Sequence, residues 1–209
     1  MIVRSYSPQE QRALDYIRSE VPRAETHLVA TRDFALEINE DQSLGLNEEK
    51  VVLAALCHDL ARLMDPAEIE SQLRQRGIDP DSLGFVTPIL SHGHLSAELA
   101  RERIGIEDEE VLEAIRWHAT GRGEMSLLEK LVYVADKVEA TRDYPGVEKL
   151  RELVREDFHR SIPLVIGSVI KHVVAMNQPL DYNSVAAYNR ALGDARSRLA
   201  WRNQLGTSG

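Results

Sequence analysis

Seven consecutive apolar residues, Val51 to Cys57, run without a break into His58 and Asp59. A stretch this apolar belongs in an interior, and a carboxylate carried there unpaired costs several kcal/mol. The fold must therefore expose Asp59, pair it, or place a cation beside it. Which of these holds decides what the chain can do.

The surrounding pattern is helical. Pro8 follows Ser7, Asp65-Pro66 with Glu68 reads as a cap with proline in the first turn, and Ser126 with Glu129 makes a capping box. Gly77 and Gly105 read as C-terminal stops. Apolar residues recur at helical spacing, as in Val111, Leu112 and Ile115, or Leu128, Leu131, Val132 and Ala135, with no sustained period-two alternation. The pattern predicts an all-α domain of about eight or nine helices, with ends good to a few residues. The expected spans are 8–19, 22–38, 48–62, 66–76, 81–91, 94–104, 108–118, 126–140, 147–175 with a break near Pro163, and 184–200.

At 209 residues and 43% hydrophobic content, one domain over 1–200 can fill its own core, with 201–209 expected as a frayed tail. Lys and Arg number 25 against 34 Asp and Glu, a net charge of -9 that disfavours a nucleic-acid surface. The opening "MIVRSYSPQEQRALDYI" lacks a signal-peptide core, and no apolar segment is long enough for a membrane span. The single cysteine, Cys57, sits inside the apolar run and reads as a small buried residue. A soluble, cytoplasmic protein is expected, and a homodimer is compatible with these features.

Other polar residues interrupt the apolar stripes as His58-Asp59 does. His118 closes "VLEAIRWH", Asp136 lies inside "LVYVADKV", His27 lies within "AETHLVATRDFAL", and His92 stands in "ILSHGHLSA", where Gly93 would let the chain turn. A lone histidine on an apolar face is most often a hydrogen-bonded core residue, and a lone carboxylate such as Asp136 is about as often a helix-surface group bonded to a nearby Lys or Arg as a ligand. Six such residues in one chain carry more weight together. His94 reads as a helix cap, and His159 and His172 as ordinary partly exposed residues.

The ordered set His27, His58-Asp59, Asp136 resembles the HD superfamily of metal-dependent phosphohydrolases. With His92 and His118 added, the chain is similar to its YqeK-type branch of symmetrical diadenosine tetraphosphate hydrolases. The resemblance rests on "AALCHDLAR", "LSHGHLSAELAR", "WHATGRGEMSLLEK", "VADKVEATRDYPGV" and "SVAAYNRAL", spread from about Gln11 to Leu192. Three positions depart from the family's usual pattern: Arg62 for Lys, Ala119 for Thr and Ala140 for Pro. Arg62 keeps the charge but presents a planar fork.

The resemblance implies an HD-type helical bundle with two metal ions, most simply iron, in its core. Imidazole and carboxylate donors also suit manganese, cobalt or zinc. One metal would take His27, His58, Asp59 and Asp136; the other would share Asp59 as a bridge and take His92 and His118. Asp59 and Arg62 would serve catalysis, and Arg62, Ala119, Thr120, Arg122 and Arg142 would bind a dinucleoside polyphosphate. The alternatives are an HD hydrolase of another nucleotide, or a non-enzymatic nucleotide-sensing or assembly protein.

Overall fold

The structure is a computed structural model that describes residues 6–206, with side chains through 197. Among these residues it is all-α: α1 (Pro8–Glu20), α2 (Glu25–Asp41), α3 (Glu48–Cys57), α4 (Pro66–Gln75), α5 (His92–Leu99), α6 (Glu109–Trp117), α7 (Leu127–Val138), α8 (Val147–Glu156), α9 (Phe158–Ala175) and α10 (Tyr182–Gly206). None of the described helices is long and apolar enough to cross a membrane.

The caps explain where these helices begin. The Ser7 hydroxyl accepts from the Glu10 N–H while the Glu10 carboxylate accepts from the Ser7 N–H, closing a reciprocal box on α1. Asn47, Asp65, Asp108, Ser126 and Asp157 each accept a backbone N–H at the start of α3, α4, α6, α7 and α9.

Several expected boundaries move, each for a local reason. The helix expected over 81–91 is instead two 3-10 turns, Pro80–Leu83 and Pro88–Ser91. Gly84 between them is left-handed at φ 70, and Thr87 is extended because the Pro88 ring disfavours a helical residue before it. The segment 147–175 breaks at Asp157, not at Pro163: Asp157 is extended and caps α9, which carries Pro163 inside it. α3 stops at Cys57, five residues short of its expected end, so His58 and Asp59 lie in the turn beyond it. α10 continues to Gly206, and of the expected tail residues 207–209 lie outside the described residues.

α3 and α7 form the centre. Every residue from Val51 to Cys57 is buried, and so is every residue of α7 from Leu131 to Asp136. α3 packs against α1, α2, α6 and α7, while α7 packs against α2, α3, α6, α8 and α9. α5 closes on α6 at Gly93, where an added Cβ would sit 2.5 Å from the Arg116 carbonyl oxygen. Gly93 therefore lies within α5 and permits close helix contact; it does not turn the chain.

Two outcomes follow from this packing. Gly93→Ala should lower stability by about 2 kcal/mol, as overpacking does, and should reduce bound metal, because His92 opens α5 and His118 directly follows α6. Thermal denaturation with elemental analysis checks both; an unchanged midpoint would show that α5 retreats freely. Burial pushes the Cys57 thiol up to about 12. A thiol-reactive chromogen should label no cysteine in the native protein and one after denaturation.

Candidate metal centre

Six side chains from five places in the chain meet in one buried cluster. His27 comes from α2, His58 and Asp59 from the turn after α3, His92 from the first position of α5, His118 from just past α6, and Asp136 from the middle of α7. His58 is fully buried, and Asp59, His92, His118 and Asp136 are also buried. His27 is the most open, its side chain 19% exposed.

Backbone carbonyls set the direction of three imidazoles. His58 Nδ1 donates to Ala55 O at 2.8 Å, His92 Nδ1 to Ile89 O at 2.5 Å, and His118 Nδ1 to Ile115 O at 2.7 Å. A carbonyl oxygen only accepts, so the proton sits on Nδ1 and a neutral ring presents a bare Nε2. Each bond reaches back three residues, which places each histidine at the edge of a helical turn. His27 does the same through a side chain: its Nδ1 donates to Glu139 Oε1 at 3.0 Å.

The four Nε2 atoms converge. Those of His27 and His58 are 3.1 Å apart, and those of His92 and His118 are 3.0 Å apart. Bare nitrogens such as those of His92 and His118 repel at this distance unless something positive joins them; between His27 and His58 that is the proton His27 holds or a metal ion that replaces it. Donors bound to one cation at about 2.1 Å and at right angles lie about 3 Å apart. The spacing fits a metal ion.

Asp59 divides its two oxygens. Oδ1 lies 3.0 Å from both His92 Nε2 and His118 Nε2, while Oδ2 lies 3.7 Å from both His27 Nε2 and His58 Nε2. Asp136 Oδ1 adds a contact to His27 Nε2 at 3.2 Å and to His58 Nε2 at 3.7 Å. Donor atoms of His27, His58 and Asp59 lie within 4.8 Å of one another, as do those of Asp59, His92 and His118 and of His58, His118 and Asp136. With no thiolate in the set, the chemistry is that of a divalent transition metal held by nitrogen and oxygen.

The electrostatics show how the cluster stands without one. Burial pushes the Asp59 carboxyl up, but His58, His118 and His92 outweigh it and hold it well below the usual range. Asp136 is likewise held low against its burial by Lys137, His27 and His58. Burial also opposes a charge on His27, yet hydrogen bonds to Asp136 and Glu139 raise it to about 9. His118 is lowered to about 4, chiefly by burial.

The expected substrate residues divide. Arg142 is part-exposed at the cluster's edge, its guanidinium bonded to Asp136 and 3.4 Å from His27 Nε2. Arg62 is exposed, with no side-chain hydrogen bond among the described residues, one turn beyond Asp59. Ala119 is half-buried beside His118. Thr120 is buried and donates to Gly121 O at 2.9 Å. Arg122 forms a fork onto Glu129 at 2.8 and 2.6 Å and meets Glu113 at 2.8 Å, lying over the Trp117 ring. His94 is not a cap: it lies inside α5 against Phe85 and Trp117, with no partner for its buried Nδ1 among the described residues.

Three further residues support the centre without having been singled out from the sequence. Glu139, fully buried, holds His27 and also accepts from Thr141 Oγ1 at 2.6 Å. Lys137 bonds Asp136 and lies 3.4 Å from His118 O. Arg151, buried, donates to the carbonyls of Val138, Glu139 and Arg142, clamping the turn that follows α7. Glu139 was detectable by the same signal as Asp136, an acid one helical turn further along a buried stripe. Lys137 and Arg151 have no such signal, since a charge beside an acid on a helix is ordinary.

Residues 25–141 match the HD domain family model. The chain is 36% identical over 79% of its length to a Halalkalibacterium halodurans protein named bis(5'-nucleosyl)-tetraphosphatase, symmetrical, covering 87% of that protein. A Bacillus subtilis protein of the same name is 34% identical, over 78% of this chain and 86% of its own. The solved structure of a Clostridium acetobutylicum protein, described as a predicted HD superfamily hydrolase involved in NAD metabolism, superposes with a TM-score of 0.80. It is 30% identical, and the match spans 91% of this chain and all of that one.

Metal must displace the proton that His27 holds below about 9, so affinity should rise with pH up to that value. The metal-free chain should show the opposite trend. The raised His27 pKa contributes stability that is complete below its ordinary value of 6.5 and is lost as pH rises through about 9. Proton release on adding metal in weak buffer, and metal-free melting at several pH values, check the two signs. Glu139→Gln should weaken metal binding about 10–100-fold, read by chelator competition.

Proposed function

This chain belongs to the HD domain family of metal-dependent phosphohydrolases, and from that premise we propose that it cleaves diadenosine tetraphosphate symmetrically to two ADP. The observation that carries the reading is the division of Asp59: one oxygen faces His92 and His118, the other His27 and His58. A carboxylate so placed suits two cations, with iron the first choice and manganese, cobalt or zinc as alternatives. Such ions, when bound, supply Lewis acidity to phosphoryl oxygens and make water nucleophilic at neutral pH.

The protein's own groups do the rest. Asp59 and Asp136 hold negative charge in the interior, and the carbonyl-anchored imidazoles keep their Nε2 atoms aimed at one centre. Buried walls on α3, α5, α6 and α7 exclude bulk water, while the rim at His27 and Arg142 stays open. Arg62 and Arg142 offset the charge of the polyphosphate, and Lys137 adds a third cation beside Asp136. ADP is a stable anion, so departure needs charge neutralisation more than a strong protein acid. Ala119, half-buried, directly follows His118, whereas Thr120 and Arg122 brace the segment after it. A lone buried reduced cysteine fits a cytoplasmic setting.

Chromatography of the products decides the register of cleavage: ADP alone is expected from diadenosine tetraphosphate, whereas ATP with AMP would overturn the symmetrical reading. Absence of turnover on a nucleotide panel, with iron or manganese supplied, would favour a sensing or assembly role. Asp59→Ala should cost more activity and metal than His92→Ala, because Asp59 serves both donor groups. Arg142→Ala should lose about 1.5–3 kcal/mol of substrate or transition-state stabilisation; unchanged kinetics would assign Arg142 to the scaffold.

A further inference from the structure

A cleft of about 440 Å³ opens between α2 and α8, lined by Ala30, Asp33, Phe34 and Glu37 on one side and by α8 residues including Arg155 on the other, with Ala140 also lining it. Its position relative to the metal centre is informative. The open rim of the centre is made by His27 and Arg142. Ala30 lies three residues beyond His27 on α2, and Ala140 lies two residues before Arg142 in the turn after α7. Both segments that form the rim therefore continue into the cleft.

We propose that this cleft is the subsite for one nucleoside of the substrate, an inference that rests on the dinucleoside tetraphosphate reading above. The volume lies in the range of small-molecule sites. Asp33, Glu37 and Glu148 line it together with Arg151 and Arg155. Arg155 is held by Glu37 and Arg151 by Glu148, so both guanidiniums are already neutralised and offer little to phosphate, while the carboxylate oxygens can accept hydrogen bonds from ribose hydroxyls or an exocyclic amine, which favours the neutral end of a nucleotide. The Arg155 guanidinium lies over the Phe34 ring at 5.2 Å and is held by Glu37 at 2.5 Å. A planar cation fixed in this way is a platform on which a flat base stacks. The small side chains of Ala30 and Ala140 leave the space open. Phosphates then lie along the rim toward Arg142 and the donor cluster, while the base lies along α2.

ADP and pyrophosphate share a diphosphate; pyrophosphate lacks the nucleoside and carries one more ionisable oxygen, which favours it at a cationic centre, so the comparison is a conservative test. Calorimetric titration of the metal-loaded full chain should show ADP binding at least about tenfold more tightly than pyrophosphate, a difference of about 1.4 kcal/mol. Ala140→Trp, which fills the cleft from an exposed position, and Arg155→Ala, at a side chain 46% exposed, should each weaken ADP about tenfold and leave pyrophosphate unchanged. Equal affinities in the unaltered protein, a parallel loss of both ligands, or no change in either variant would overturn the subsite. If the unaltered protein converts diadenosine tetraphosphate to ADP while both variants bind ADP normally, the cleft assignment falls and the proposed activity stands. If the unaltered protein turns over no dinucleoside tetraphosphate, the substrate reading falls first.

Discussion

Two carboxylates in an apolar interior set the terms for the rest of this molecule. Asp59 and Asp136 are buried beside helices whose inward faces are otherwise hydrocarbon. A buried anion is tolerated only when cations and donors surround it. Four imidazoles, Lys137 and Arg142 supply that surround, and the close approach of bare nitrogens makes room for metal. The same arrangement that makes the interior tolerable gives it chemistry.

Precision at the centre comes from where helices end. His58 and His118 sit just beyond α3 and α6, and His92 opens α5, so each ring can turn back and anchor Nδ1 on a carbonyl three residues earlier. A residue in mid-helix has no free carbonyl of this kind, because the helix already uses it. His27, which is in mid-helix, takes a carboxylate instead, and Glu139 provides it. Ser96 adds a tie between layers, its hydroxyl accepting from the Ala61 N–H at 3.0 Å and holding the turn after α3 against α5.

The open side of the centre is asymmetric in charge. Arg142 lies at its edge and exposed Arg62 follows Asp59 by one turn, whereas acids with their arginine partners line the cleft on the helix of His27. In a chain with net charge -9, a polyphosphate bound as proposed would depend on this local separation. Long-range attraction is absent, so recognition depends on groups within direct reach of the phosphates.

The all-α class, most helix positions and the six members of the cluster were legible in the sequence, because each rests on local information. Caps, apolar spacing and polar residues intruding on apolar stripes are properties of neighbours along the chain. The ordered His-Asp pattern also carried a family resemblance. What the sequence left open was decided across the chain. The segment 81–91 has apolar residues enough for a helix, but Gly84 and Pro88 turn it into two short turns. Gly93 looked like a hinge and is instead a point of contact, since only the packing of α5 on α6 reveals the missing space for a Cβ. Arg122, which the resemblance gave as a substrate residue, meets Glu129 and Glu113. Glu139 and Arg151 became meaningful only when residues 112 and 12 positions apart, His27 with Glu139 and Arg151 with Glu139, came into contact. Helix propensity acts over a few residues, so sequence determines the elements. Which oxygen faces which nitrogen depends on how those elements pack, and only the tertiary structure decides that.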